Sequence, residues 1–163
     1  MVEIKSSSPA RDEIVMAIGM AVMRWQDATQ AYDEAVGEKL GLNLAERRCL
    51  SLLYGGPQTA GAIAQATFLT PAAVTALIDR LEARGFVART RSAEDRRKVM
   101  VATTDQAHAV TDRYYRAIAE DGARFLSGFS LQELKLIEQF TQGAIAIQER
   151  HLAALAAAGP AAG

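Results

Sequence analysis

The chain has 163 residues, enough for one ordinary domain of ~100 to 200 residues and short for two. Half of its residues are hydrophobic and 23% are charged, with a mean hydropathy of +0.02. This balance can bury a core and excludes a wholly disordered or fibrous chain. A lone cysteine, Cys49, excludes an intrachain disulfide framework and a multi-thiolate metal site. The longest strongly apolar run, residues 14–23, lies between Asp12-Glu13 and Arg24. It falls short of the ~20 residues a membrane-spanning helix needs. Its acidic flank is also wrong for a secretory signal, so the expected location is the cytoplasm with no membrane partner.

The formal net charge of -1 hides an asymmetry. Residues 80–98 hold seven of the 18 basic residues (Arg80, Arg84, Arg89, Arg91, Arg96, Arg97, Lys98) and three of the 19 acidic ones, a net +4 that leaves -5 on the remainder. A basic strip on an acidic body is what a phosphate-facing surface requires, since phosphate neutralisation supplies most sequence-independent nucleic-acid affinity. A solvated charged face is the alternative reading of the same cluster.

In chain order, residues 1–9 are polar and Ser-rich without periodicity. Over residues 10–40, Ile14, Ile18, Val22, Trp25, Tyr32, Val36 and Leu40 recur in steps of three and four, with Thr29 filling the gap, which predicts one long amphipathic helix ended by Gly41. Asn43 and Glu46 form an N-cap pair for a second helix through Tyr54, which Gly55-Gly56-Pro57 stops. Thr59 caps a short Ala-rich helix over residues 60–66. Thr70-Pro71, a cap followed by proline at the first helical position, opens another that runs to about Arg84, with Val74, Leu77, Ile78 and Leu81 on its core face.

The period then changes. Residues 86–91 and 98–103 are short runs of aromatic, β-branched and alternating basic residues joined by a charged tip, residues 92–97, and read as a β-hairpin. Thr104 caps a further helix broken by Ser127-Gly128. Ser130 and Glu133 then form a capping box, flanked by Phe129 and Leu134, that opens a last helix before the Ala/Gly/Pro tail. The fold class expected is mainly α with a small β-hairpin wing.

Two helices joined by a tight turn, the second followed directly by a basic hairpin, make a winged helix-turn-helix. The outward face of the second helix carries small and polar residues, so its first turns can enter a major groove, while the hairpin lies alongside to reach phosphates or the minor groove. A winged helix that binds another protein is the rival. Catalysis is not expected. The two histidines, His108 and His151, fall on different helices without a metal partner set, and Gly55-Gly56-Pro57 lacks phosphate-loop spacing. No metal or cofactor is expected.

The stretch from Val74 through Leu81-Glu82-Ala83-Arg84-Gly85-Phe86 to Arg89, followed by Glu94-Asp95-Arg96-Arg97 and by Thr103-Thr104 opening the next helix, resembles the MarR family of bacterial transcription regulators. The sharpest part covers residues 43–107, and the helical order on both sides is similar to the family's dimerisation helices. The resemblance implies a homodimer on a pseudo-palindromic double-stranded operator, usually a repressor released by a small phenolic or aromatic effector, or by oxidation in a thiol-bearing subset. The resemblance implies an N-terminal dimerisation helix (10–42), a winged DNA-binding region (43–103) and C-terminal dimerisation helices (104–157), while the polar start (1–9) and the Ala/Gly/Pro tail (158–163) are expected to be flexible from their composition.

On this resemblance the helix from Pro71 is the recognition helix, with Thr70, Pro71, Ala72, Ala73, Thr75, Ala76 and Arg80 facing DNA. Arg89, Arg91, Arg96, Arg97 and Lys98 serve it from the wing. Asp79 matches the family's recognition-helix acid and is expected to hold the wing through Arg97. The chain departs from the family pattern in its alanines, where serine, threonine or arginine is common, so direct readout rests on Thr70, Thr75 and Arg80, with shape carrying the rest. Ala107 stands where glycine is common. The expected effector pocket is walled by Met20, Met23, Trp25, Tyr32, Cys49 and Leu53, although aromatic and methionine residues at helical spacing also serve as plain core. Cys49 falls on the apolar side of its helix, where a thiol is inert, and a redox sensor should instead be exposed.

Overall fold

A computed structural model describes residues 9–91 and 98–158. The elements in order are α1 (Pro9–Lys39), α2 (Leu44–Tyr54), β1 (Gln58–Thr59), α3 (Ala60–Thr67), α4 (Pro71–Ala83), β2 (Val87–Arg91), β3 (Val99–Thr103), α5 (Asp105–Leu126) and α6 (Leu131–Ala158). The fold is the expected mainly helical one with a small wing. The charged tip of the wing, residues 92–97, lies outside the described residues.

The caps lie where the sequence places them. The Asn43 side chain accepts from the Glu46 amide at 2.9 Å while the Glu46 carboxylate accepts from the Asn43 amide at 3.0 Å, so two otherwise orphaned donors at the start of α2 are satisfied reciprocally. Thr59 and Thr70 accept from Ala62 and Ala73 to start α3 and α4, and Pro71 takes the first helical position. The hydroxyl of Thr104 accepts from the Ala107 amide and donates to the Gly85 carbonyl at 2.5 Å, which ties the start of α5 to the end of α4.

Two features were not legible. β1 pairs antiparallel with β3, Gln58 opposite Val101 and Thr59 opposite Met100, giving a three-stranded sheet in the order β1-β3-β2. A two-residue strand is too short for alternation to reveal. The second is Phe68, which ends α3 in a left-handed conformation with φ of 57°. That conformation costs a residue bearing a Cβ about 1 kcal/mol or more, and glycine is its usual occupant. Helix α6 also continues to Ala158, through most of the Ala-rich stretch.

By chain contacts the molecule divides into two compact units, Met1–Asp112 and Arg113–Gly163, with α5 crossing the boundary. In the first, one core joins Cys49, Leu50 and Leu53 of α2, Ile63 of α3, Val74, Leu77, Ile78 and Leu81 of α4, Phe86, Val87 and Val101 of the sheet region, and Ala107. Tyr54 closes its edge: the phenol donates to the Ala107 carbonyl at 3.0 Å and meets the Thr111 hydroxyl, while the His108 ring stands edge-on to Tyr54. His108 Nε2 also meets the Thr103 hydroxyl at 3.0 Å, so this histidine is part of the packing. In the second unit Phe129 packs edge-to-face on Phe125, and the Ser130–Glu133 capping box opens α6. The Ser130 hydroxyl and amide hold the Glu133 carboxyl below the ordinary carboxylate range.

Candidate nucleic-acid interface

Helix α4 owes its placement to its apolar face. Val74, Leu77, Ile78 and Leu81 are buried, which turns Pro71, Ala72, Thr75, Ala76, Asp79 and Arg80 outward, with Ala73 at the margin. The outer surface of the first two turns is therefore methyl groups, a proline ring and two hydroxyls. Both hydroxyls already have a local role. Thr70 accepts from the Ala73 amide and keeps its proton, whereas Thr75 spends its proton on the Pro71 carbonyl at 3.1 Å and keeps lone pairs. One can donate outward and the other can accept.

Arg80, expected to face DNA, is anchored from behind. Its Nε meets the Glu46 carboxylate at 3.1 Å, and the arginine side chain is 53% exposed against 5% for Glu46. Glu46 thus caps α2 and orients an arginine of α4 with the same carboxylate. The helical spacing of Asn43 and Glu46 shows the first role. Nothing in the linear spacing shows the second.

On the wing, Arg89 of β2 donates to Asp79 at 2.5 Å and also pairs with Glu82, whose other oxygen accepts from the Arg89 amide at 3.1 Å. The hydrogen bond that Arg89 donates to Asp79 is the largest cause holding its guanidinium above its ordinary pKa. Among the described residues, then, the outward acid of α4, Asp79, meets Arg89. Arg97, the partner expected from sequence, lies outside them, as does Arg96. Asp79 and Glu82 stand three residues apart on one helical face opposite a strand of alternating basic residues, a pattern that could have suggested Arg89. Arg91 and Lys98 are exposed at the outer end of the wing strands.

An open cleft of about 650 Å³ lies between α1 and α2, with Trp25, Thr29 and Asp33 on one wall and Leu44, Arg47 and Ser51 on the other. Of the six residues expected to wall a pocket, Trp25 lines this cleft. Cys49 and Leu53 are buried in the core, and Met20, Met23 and Tyr32 are not among the lining residues. Arg47 Nε is the one buried side-chain nitrogen or oxygen without a hydrogen-bond partner among the described residues. Burial, and then the charge of Glu46, push the Cys49 thiol up to about 11. Among the described residues no cluster of three or more His, Cys, Asp or Glu is placed to hold a metal. No single helix there is long and apolar enough to cross a membrane.

A buried three-helix core whose last helix exposes small residues, with a basic hairpin beside it, is a winged helix-turn-helix fold. Residues 40–98 match the model of the MarR family. The chain is 29% identical over 148 residues to YcgE, an uncharacterized HTH-type transcriptional regulator of Bacillus subtilis strain 168, covering 90% of this chain and 96% of that one. A second B. subtilis regulator, YkoM, is 37% identical over 94 residues, which cover 57% of this chain and 61% of that one. Among solved structures, transcriptional regulator Tm0710 of Thermotoga maritima superposes with a TM-score of 0.58 at 19% identity, covering 85% of this chain and 98% of that one. A point mutant of MepR from a multidrug-resistant Staphylococcus aureus clinical isolate gives 0.62 at 16% identity, covering 80% and 96%. Over residues 40–98 the chain is thus similar to the MarR family, and the relatives it resembles are HTH-type transcriptional regulators.

Proposed function

We propose that the protein is a cytoplasmic homodimeric repressor that binds a pseudo-palindromic operator and is released from it by a small aromatic or phenolic acid. The observation that carries the dimer is the apolar stripe of α1, where Ile14, Ile18 and Trp25 stand exposed in the single chain. Contiguous apolar surface on this scale marks an interaction site, and a second copy of the same stripe is its simplest complement. Recognition helices related by a two-fold axis then read half-sites about 34 to 36 Å apart.

In this reading α4 enters the major groove with Thr70 and Thr75 as its hydrogen-bonding groups and alanine methyls against thymine. Arg91 and Lys98 face phosphate, with Arg96 and Arg97 continuing the same strip. Arg89 serves the wing differently: held by Asp79 and Glu82, it fixes the strand to α4. The cleft between α1 and α2 receives the effector, its carboxylate or phenolate beside Arg47 and its ring on Trp25, both of which line it. Oxidation of Cys49 has no place in this reading, because the thiol is buried and held protonated.

Selection of random duplexes by the purified protein tests the operator. Recovery of an inverted repeat with half-sites one turn apart is expected, and enrichment of no motif overturns the reading in favour of a protein-binding winged helix. On the selected duplex, Arg91→Ala should reduce the salt dependence of binding by about one unit of slope per half-site, about two for the dimer, whereas Arg89→Ala should weaken binding without changing the slope. Titration with aromatic carboxylates should release the duplex and change Trp25 emission saturably. Release that leaves Trp25 emission unchanged places the ligand elsewhere.

A further inference from the structure

Helix α1 ends in a Schellman arrangement. The Leu42 amide reaches back to the Gly37 carbonyl at 2.8 Å and the Gly41 amide to Glu38 at 3.0 Å, with Gly41 at a φ of +59° that a Cβ would strain. The carbonyls of Leu40 and Gly41 lie beyond these bonds at the negative end of a 31-residue helix. Both are met by one side chain, Arg84, the C-cap residue of α4. Its Nη1 donates to the Gly41 carbonyl at 3.0 Å and its Nη2 to the Leu40 carbonyl, with the guanidinium over the Phe86 ring at 5.0 Å. A planar fork across two adjacent carbonyls fixes direction as well as distance, which a single point charge would not do.

Two further contacts join the same corner. Glu46, at the start of α2, holds Arg80 one helical turn before Arg84. The Arg47 stem crosses α1 at Gly37, where a Cβ would collide with Arg47 Cδ. The helix that faces DNA is thus held at two successive turns by the junction of α1 and α2. By contrast, the α1 surface before this corner is exposed apart from the buried Val36 and Gly37 and the half-buried Val22 and Asp33.

We propose that Arg84 is a positioning residue for DNA recognition: it ties the end of the recognition helix to the end carbonyls of α1, so that the direction of α4 follows α1. A shift of α1, whatever its origin, is carried to the recognition helix through this fork. The inference rests on α4 being the recognition helix, and the first measurement below does not depend on that assignment.

The test places nitroxide labels at Ala31→Cys on α1 and Ala76→Cys on α4 in a Cys49→Ala background, with labelled chains diluted in unlabelled protein. The parent should give one narrow label distance. Arg84→Met, which keeps the stem and removes the fork, should broaden or shift it. Arg84→Lys, able to reach one carbonyl, should fall between. On the selected operator, Arg84→Met should bind about tenfold more weakly with an unchanged salt slope. An unaltered α1–α4 distance in Arg84→Met overturns the proposal. So does a salt slope lowered by about one unit per half-site, which would make Arg84 a phosphate contact. If Arg84→Met does not fold, Arg84→Lys is judged by the same two readings. A changed distance with unchanged operator affinity would retain the tie but remove α4 from DNA reading.

Discussion

Leu77 on α4 is completely buried, whereas Ile14 on α1 is 61% exposed, although each belongs to an apolar stripe of regular helical spacing. The winged region buries its stripe internally because α2, α3, α4 and the sheet surround one centre. Helix α1 runs 31 residues with only Val36 and Gly37 buried, and Phe140, Ile147 and Leu155 of α6 are likewise exposed. Each large side chain left in water forgoes ~1.5 to 3 kcal/mol relative to burial. The same sequence signal therefore carries two meanings: within a ring of neighbours it marks a core, and on an isolated helix it marks a surface awaiting a partner.

The largest test of this contrast is association. Ile14→Asp with Ile18→Asp alters side chains exposed in the single chain, so the fold of each chain should survive. The pair should sediment as a monomer at micromolar concentration and lose operator affinity by at least about 100-fold, because two linked half-sites become separate binding events. A dimer of undiminished affinity would show that the stripe of α1 does not form the contact.

Leu77→Ala acts on the other side of the comparison. Its cavity in a closed core should cost about 2 to 5 kcal/mol in denaturant unfolding. The loss relative to the parent should be the same at low and high protein concentration. A difference that grew on dilution would tie Leu77 to association and blur the distinction between the two regions.

Cys49 gives the smallest effect at neutral pH, where it should resist thiol reagents until the protein unfolds. Its folded pKa is raised from 9.0 to about 11. Below pH 9 the thiol is protonated in both states and contributes its full share. Between about pH 9 and 11 the unfolded chain releases the proton first, so stability should fall as pH rises. Cys49→Ala should flatten that alkaline decline, and rapid labelling of the folded protein would contradict the burial on which this rests.

The helices of the winged region were legible because Asn43, Glu46, Thr59, Thr70 and Pro71 are local signals whose bonding partners lie within one turn, and Ser130 and Glu133 mark the start of α6 in the same way. The outward set on α4 was legible for a similar reason, since the buried Val74, Leu77, Ile78 and Leu81 fix the opposite face. What escaped depends on distance along the chain. Glu46 meets Arg80 across 34 residues and Arg84 meets Leu40 across 44, and no periodicity encodes such pairings. Arg89 illustrates a subtler difficulty: in a basic strip each arginine looks alike, and only the fold places this one against Asp79 and Glu82. Cys49 and Leu53, expected at a pocket wall, are buried in the core, and a single helix does not reveal which of its apolar faces the neighbouring helices cover.

With α4 reading DNA as proposed, its outward alanines bear on how the protein could change its target. Ala72 and Ala76 contribute nothing to the core, and alanine is already the best helix former, so replacing either with glutamine, arginine or serine alters the backbone little. Each replacement would add a hydrogen-bonding group at a position that now offers only a methyl, and a good bidentate contact discriminates between bases by ~1 to 3 kcal/mol. A single codon change could thus confer a preference at one base pair without first dismantling an older one. Such a recognition helix leaves new specificities within one mutational step, with the scaffold behind it unchanged.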